Sequence, residues 1–439
     1  MLPEYITKTK PNPAANRAPW FSNTAPTYAG VFLWVVFYMK LAENTIDRAG
    51  LGLCLLALAV AGLLSYKLYY YVPAMLGMKT GYPLYVVGSS TFGTTGGYLM
   101  PGLLMGLLQV GWFSVGTFVA SNFILNGFGM KPEPATVPFA IVAVLWGYVM
   151  AFIGVKGIQY IAKVALFLNM IPAIVVAIVF FNTVKGLGSY APAKSDPWSA
   201  FSLLLAAVIG FFATAGAAGA DFGMNSRHER DVRLGGWVGI VVAILYAGGL
   251  PLLSVAGAHG LDPTLSSFSY DAVIARMGGF LAPAMFLLFT VASIPSACFC
   301  SFIAANSFST MIPGIPRMGS TMAAMTVAIL LAITGKAADL IGFFSIVGAS
   351  FGPICGAMAA DYLLSGKQWA GPRKGINWAG YAAWALGFVV GILPFLPLPE
   401  DVKAYAQPAV VYSFIVGFVV YSVLAKLGLE PETVPVDKT

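Results

Sequence analysis

Apolar stretches of about one bilayer thickness alternate along this chain with short polar connections. Crossing ~30 Å of hydrocarbon as a helix takes about 20 residues. By that measure the stretches near 28–46, 50–76, 99–128, 134–154, 161–184, 199–222, 235–258, 279–310, 321–335, 338–364, 378–398 and 407–427 predict twelve transmembrane helices. The two longest are expected to include tilt or extramembrane turns. The pattern predicts an all-α polytopic membrane protein, with no connection long enough for a separate soluble domain.

Two polar islands interrupt the pattern. Gln109-Val110-Gly111-Trp112-Phe113 lies in the third stretch, and the glycine-rich run from Gly210 to Phe222 lies in the sixth. An unpaired amide or a loosened backbone is costly against lipid. Such groups suit a site that holds a flat, hydrogen-bonding solute at mid-membrane. Gln109 and Trp112 fall at i and i+3 on one helix face, a stacking surface beside a hydrogen-bonding edge. Taken alone, the tryptophan is more often a packing residue or an interfacial anchor. Gly210, Thr214, Gly216 and Gly219 fit either close packing through small residues or an interrupted helix whose freed backbone faces a cavity. Asp221 favours the interruption, because a carboxylate near the inner end needs polar surroundings.

Other polar groups are sparse. The first stretch carries Lys40, Glu43 and Asn44. Lys40 and Glu43 share a face and either neutralise each other or leave Lys40 as a deep charge. Ser293, Ser296, Ser301 and Asn306 surround Pro295 in the eighth stretch; hydroxyls there either bond their own backbone or coordinate a small cation. The tenth stretch, with Ser345, Gly348, Ser350, Gly352, Pro353 and Gly356, reads as a second flexible helix ending in Asp361-Tyr362. The polar connections 77–98 and 223–234 are candidates for a hinge or inner gate, with Asp221, Arg227 and Asp361 beside them.

Composition agrees with the pattern. Apolar residues make up 59% of the chain and charged residues 9%, with a mean hydropathy of +0.82, whereas soluble domains carry about 25% charged residues. The net charge of +7 is scattered between apolar stretches, so it reads as a topology signal and not as a nucleic-acid surface. With the N-terminus inside, Lys and Arg number fifteen in the inner segments (Lys8 through Lys438) and seven in the outer ones, Lys194 included. That bias places both termini in the cytoplasm and the protein in the cytoplasmic (inner) membrane. The first 27 residues lack an apolar core, so no cleavable signal peptide is expected. The four cysteines read as small buried hydrophobes, and two distant histidines make a metal site unexpected. No Gly-x-Ser-x-Gly, phosphate loop or metal-spaced cluster occurs, so no enzyme is predicted.

At these same residues the chain resembles the nucleobase–cation symporter family, and within it the cytosine-permease branch. Gln109 to Phe113 is similar to the family's third-helix motif. Gly210 to Phe222, followed by Arg227, is similar to its sixth helix, and Ala360-Asp361-Tyr362-Leu363 to its tenth. Met78-Lys79-Thr80-Gly81 and Ser90-Thr91-Phe92-Gly93 resemble the connection between helices two and three. The resemblance implies a LeuT-like 5+5 inverted repeat plus two C-terminal helices. Its parts would be a cytoplasmic tail 1–27, repeats 28–184 and 199–364, helices eleven and twelve over 378–427, and a tail 428–439. It also implies a planar base sandwiched by Trp112 and Phe212, with Gln109 on its polar edge. Thr214 stands where cytosine permeases carry a serine, and Ser296 is a further substrate contact.

Two departures from the family are visible. Residues 31–49 contain neither Gly nor Pro, so no break is expected in the first helix, and Lys40 stands there instead. Ile294-Pro295-Ser296 offers few hydroxyls for the family's sodium site. The candidate cation-coupling set is therefore Phe37, Lys40, Ser293 and Ser296, with Na+ or H+ as the coupling ion. The reading is a monomeric, cation-coupled secondary transporter importing a nucleobase such as cytosine, or a related heterocycle, by alternating access. Neither a cofactor nor a metal other than sodium is expected. Its rivals are a carrier for a cationic solute with Glu43 as counter-ion, and a membrane sensor on the same fold.

Overall fold

Breaks, more than lengths, distinguish the helices of this chain. The structure, a computed structural model, describes residues 2–192, 196–312 and 314–435. Lys194, Lys438 and the last four residues of the 428–439 tail lie outside the described residues. Among those described, ten helices are long and apolar enough to cross a membrane, and an eleventh apolar helix, Arg317–Ile333, is shorter.

The first predicted span is absent from that set because it is broken, against the sequence expectation. A helix over Thr24–Leu33 ends at Trp34, whose backbone is extended (φ −66°, ψ 123°), and a single turn Val35–Tyr38 follows. Neither glycine nor proline makes this break. Val31, Val35 and Val36 are β-branched, which weakens helix preference. The Trp34 ring also lies against the helix Leu104–Gly127, where a Cβ on Gly116 would stand 2.8 Å from the indole. Packing of the ring thus outweighs one turn of helix. The loosened backbone is paired locally: Phe37 N–H donates to Trp34 O at 2.9 Å, and Tyr38 Oη to Leu33 O at 3.4 Å.

The fourth and fifth predicted spans also differ, because one helical element covers Val137–Thr183. Two apolar windows fall along it, Val137–Ile161 and Lys163–Ser189, the second running on through the 3-10 turn Val184–Ser189. The expected gap over 155–160 contains no proline and a single glycine, Gly157, and its other residues tolerate a helix. The sixth span is interrupted as one sequence reading proposed: Pro197–Ala217 ends, Ala218 takes ψ 0°, and Gly219–Gly223 follows. The eighth divides at Ser293 into Leu281–Ala292 and Ile294–Met311, with Pro295 in the first turn of the second piece.

Small residues bring these pieces together. A Cβ on Gly77, at the end of the second span, would lie 2.0 Å from Ala220 O, so the backbone of the broken sixth span touches the second directly.

Beneath the spans, the connection 81–98 is tied down by carboxylates. Asp361 accepts from Ser90 Oγ at 2.6 Å, from Thr91 Oγ1 at 3.0 Å and from Arg373 Nη1 at 2.9 Å. Arg373 Nη2 pairs with Glu430 at 2.9 Å, and Tyr421 Oη donates to Glu430 at 2.6 Å. Burial disfavours the guanidinium charge, but Asp361, Tyr421 and Glu430 outweigh it and hold the Arg373 pKa above its ordinary value. The N-terminal residues lie across the same layer: Tyr5 Oη donates to Thr94 O, Arg17 Nη1 to Met78 O, and Trp20 N–H to Asp231.

Removing one partner of a buried pair strands the other charge, at a cost of about 3–5 kcal/mol. Asp361→Ala leaves Arg373 with only the more exposed Glu430 and also strips Ser90 and Thr91 of their acceptor, so it is expected to lower the thermal midpoint of the purified protein more than Glu430→Ala, which leaves Asp361 on all three donors. Equal midpoints for the two variants would contradict this account of the cluster.

Candidate functional site

Trp112 sits at the middle of the helix Leu104–Gly127 and is the hub of an aromatic cluster. Its ring lies 4.9 Å from Phe343, 5.1 Å from Phe211, 5.5 Å from Phe344 and 6.0 Å from Trp34, centroid to centroid. These rings reach it because glycines face them. A Cβ on Gly111 would stand 2.3 Å from the Phe343 ring, and one on Gly210 would stand 2.3 Å from Phe344 O. The indole is fixed in orientation, since Nε1 donates to Thr214 Oγ1 at 3.1 Å across to the sixth span. The expected third- and sixth-span residues thus meet through a hydrogen bond.

Gln109 lies one helical turn before Trp112 and is only 6% exposed. Its amide has one partner, the thioether of Met105, 3.6 Å from Nε2. A primary amide offers two donor hydrogens and a carbonyl acceptor, so most of its capacity is unused in a buried place. Trp34 Nε1, buried nearby on the same cluster, has no hydrogen-bond partner among the described residues. Buried polar groups are normally hydrogen-bonded, so groups left open in this way call for a further partner.

Phe212 is placed elsewhere. It is fully buried, stacks on Phe32 at 5.3 Å and touches Tyr28 at 5.4 Å, while Phe211 is the neighbour that meets Trp112. Phe37 packs against Phe211 and Phe32. Tyr28 Oη donates to Ala215 O at 2.9 Å, bonding a carbonyl at the sixth-span break. Trp34, Phe343 and Phe344 look like ordinary apolar span residues in the sequence, and Phe211 is one of two adjacent phenylalanines in the glycine-rich run. The available signal was Gly116, one turn beyond Trp112, which marks a close neighbour on that face.

The candidate cation groups are dispersed. Lys40 pairs with Glu43 three residues on, and both side chains are about one-third exposed (31% and 32%). Lys40 follows the Trp34 break by six residues, and no hydrogen bond or ion pair among the described residues joins it to Ser293 or Ser296. Ser293 Oγ donates to Phe289 O of its own helix at 2.9 Å, and Ser296 is half-buried. Glu43 is already engaged by Lys40, so a cationic solute finds no free counter-ion there. On the side that carries the N-terminal segment, Asp221 accepts the Leu84 N–H at 3.2 Å, Arg227 pairs with Asp231 at 3.2 Å, and Asp361 holds the cluster with Arg373. Two carboxylates on separate helices thus grip one connection, 81–98. A cavity of about 300 Å3, lined in part by Gly111, Ser114, Lys336, Asp339 and Phe343, adjoins Trp112 through the Phe343 ring.

Comparison with known proteins places this geometry. A family described as permease for cytosine/purines, uracil, thiamine, allantoin matches residues 11–417. The cytosine permease of Escherichia coli (strain K12) is 27% identical over 344 residues, covering 72% of this chain and 73% of that protein. The cytosine permease of Escherichia coli O157:H7 matches to the same extent. Among solved structures, the inward-facing conformation of Mhp1 aligns with a TM-score of 0.74 over 98% of both chains at 15% identity. Mhp1 closed with bromovinylhydantoin bound, described as a nucleobase-cation-symport-1 family transporter, gives 0.67 over 95% of each chain, also at 15% identity. A Na+-coupled sialic acid symporter gives 0.56 over 99% of this chain and 93% of that one at 12% identity. At such identities the likeness concerns the fold, an all-α membrane architecture of LeuT-like inverted-repeat type as in Mhp1. Matched along nearly its whole length, the chain belongs to the cytosine/purine permease family of nucleobase–cation symporters, and is a secondary transporter, not an enzyme.

Proposed function

We propose that this transporter imports a nucleobase or closely related planar heterocycle, stacked on Trp112 and hydrogen-bonded at its polar edge by Gln109. The buried Gln109 amide, with only a thioether partner, carries this reading. The partnerless Trp34 N–H in the same cluster supports it. A heterocyclic base has ring faces for the aromatic wall and alternating donors and acceptors for the amide and the indole. Phe211, edge-on to Trp112, takes the place beside the ring that the family pattern assigns to Phe212, and Phe212 supports it from behind. Relatives named cytosine permease, and a bromovinylhydantoin bound to Mhp1, are of the same ligand chemistry.

Twelve crossings are proposed: the ten long helices, Arg317–Ile333, and the broken first span. Repeats over 28–184 and 199–364, followed by 378–427, would pair the first span with the sixth, and breaks at Trp34 and Ala218 support that pairing. The N-terminal segment and the 428–439 tail are assigned to the cytoplasmic side of the inner membrane, and the functional unit to a monomer. Movement at the breaks would open the site alternately, with Phe343 as the thin partition between Trp112 and the cavity beside Lys336 and Asp339.

Purified protein challenged with nucleobases, hydantoins and vitamins is expected to gain thermal stability with a base or hydantoin, by mass action. For that ligand, Trp112→Ala removes stacking worth roughly 1–3 kcal/mol, about 5- to 150-fold in affinity. Gln109→Leu leaves the ligand's polar edge unpaired and weakens binding similarly. Phe211→Ala is expected to reduce affinity more than Phe212→Ala, which chiefly lowers stability. Unchanged affinity in both Trp112→Ala and Gln109→Leu removes the site.

For the coupling ion, we propose that sodium has a weak role and that a proton gradient drives uptake. Ser293 and Ser296, separated by Ile294-Pro295, are the two hydroxyls this segment offers, few for a sodium site that needs several oxygens. In proteoliposomes a pH gradient is expected to accelerate uptake more than a sodium gradient of equal size. Strong sodium dependence that ignores pH reverses the assignment.

Lys40 belongs with Glu43 in this reading. A partly exposed pair contributes about 0.2–1 kcal/mol. The double-mutant cycle of Lys40→Met and Glu43→Gln is therefore expected to show coupling below about 1 kcal/mol, with ion dependence unchanged. Loss of ion dependence in Lys40→Met alone would return Lys40 to the cation site.

A further inference from the structure

A second cavity, of about 510 Å3, opens on the face that carries the N-terminal segment, well away from Trp112. Three helix ends build it: Tyr71 to Lys79 from the second span, Glu229 and Arg233 from the start of the seventh, and Tyr362 to Lys367 from the end of the tenth. Its volume falls in the ordinary range for small-ligand pockets, about 300–1,000 Å3.

The lining combines excess positive charge with an apolar floor. Lys79, Arg233 and Lys367 face a single carboxylate, Glu229. Arg233 pairs with that carboxylate, which also accepts from Tyr71 Oη at 3.0 Å. Lys79 has no carboxylate partner; its ammonium donates to Lys367 O at 2.6 Å and lies 5.3 Å from the centre of the Tyr362 ring. The Lys367 side chain has no partner among the described residues, and its backbone takes the left-handed conformation (φ 62°) that favours glycine. A lysine is thus held over the cavity at a position where its own backbone conformation is unfavourable. Val72, Met75 and Leu363 supply the apolar wall.

The surroundings place the cavity at the membrane surface. Lys67 lies over the rings of Tyr66 and Tyr71, and Tyr66 touches the half-exposed Trp237, an arrangement of tyrosine, tryptophan and lysine typical of the headgroup level. Leu363 and Leu364 are about half exposed on the same spanning helix, a path along which an acyl chain can lie. Basic pockets between helix ends at this depth bind anionic lipid headgroups.

We propose that the cavity is a binding site for the phosphodiester headgroup of an anionic glycerophospholipid. The phosphate oxygens sit between the Lys79 and Lys367 ammoniums, Arg233 and Tyr71 bound the headgroup, and the glycerol backbone turns outward along Leu363. A soluble phosphate ester shares the charge but has no use for the apolar wall. The bound lipid bridges the second, seventh and tenth spans, so it stabilises the arrangement in which these three ends meet. This site does not depend on the identity of the transported solute.

The test uses the full chain in nanodiscs of phosphatidylcholine with or without phosphatidylglycerol. Phosphatidylglycerol is expected to raise the thermal midpoint and to remain bound in native mass spectra. Each basic residue near the surface is worth about fivefold, so Lys79→Ala with Lys367→Ala should weaken retention roughly thirtyfold. The charge-matched pair Lys131→Ala with Lys336→Ala should leave it unchanged. Equal loss in both doubles means a diffuse charge effect and overturns the site. Stabilisation by glycerol phosphate equal to that by the lipid overturns the lipid assignment in favour of a soluble anion. A photoactivatable phosphatidylglycerol on the unaltered protein keeps the proposal testable if the variants misfold: labels within 71–79, 229–233 or 362–367 support it, and labels only elsewhere refute it.

Discussion

Backbone groups inside hydrocarbon have no water to pair with, and the breaks in this protein's spanning helices answer that constraint with protein partners. At the first break the Tyr38 hydroxyl and the Phe37 amide pair with Leu33 and Trp34 carbonyls. At the sixth, Tyr28 from the first span reaches across to the Ala215 carbonyl. The two interrupted helices are therefore linked to each other at the place where their own hydrogen bonding weakens. A site for a polar solute can exist at mid-membrane because these partners already satisfy the backbone around it.

The aromatic cluster follows from the same economy of space. Glycines at 111, 116 and 210 remove the Cβ atoms that would keep Phe343, Trp34 and the Phe344 backbone at a distance. The rings then close on Trp112, whose orientation is set by Thr214 and not by packing alone. Gln109 and the Trp34 indole are left as the open polar groups inside this dry wall. In the proposed site that combination would favour a flat solute with a hydrogen-bonding edge, since an aliphatic one would leave both groups unpaired at a cost of about 1–3 kcal/mol each.

Below the site, one connection couples two helices. Asp221 follows the break of the sixth span and accepts the Leu84 amide, while Asp361 ends the tenth span and holds Ser90, Thr91 and Arg373. The connection 81–98 is thus held by two carboxylates on different helices. A shift of the sixth span relative to the tenth would therefore load this shared connection. The N-terminal residues add to it through Tyr5 and Arg17, so the segment expected as a cytoplasmic tail packs against this same layer.

Period and length alone made the membrane class and most of the spans legible, because burial in lipid demands a long run of apolar residues whatever the tertiary context. Gln109, Trp112 and Thr214 were also legible, since a polar group in such a run needs a reason to be there. The glycine run flagged the sixth-span break for the same reason: weak helix formers announce a possible interruption. The first break was not legible, because β-branched valines are common in any apolar span and mark an interruption only weakly; the Trp34 ring packs where Gly116 on another helix leaves room for it. Phe211 and Phe212 are adjacent and chemically identical, and which one faces Trp112 depends on the rotation of the sixth span, set by Gly210 against Phe344. Lys40 could not be placed from sequence either, because the Trp34 break and the turns after it decide how deep the ammonium lies. Sequence determines what a segment can tolerate, and contacts from distant segments decide which tolerated conformation it adopts.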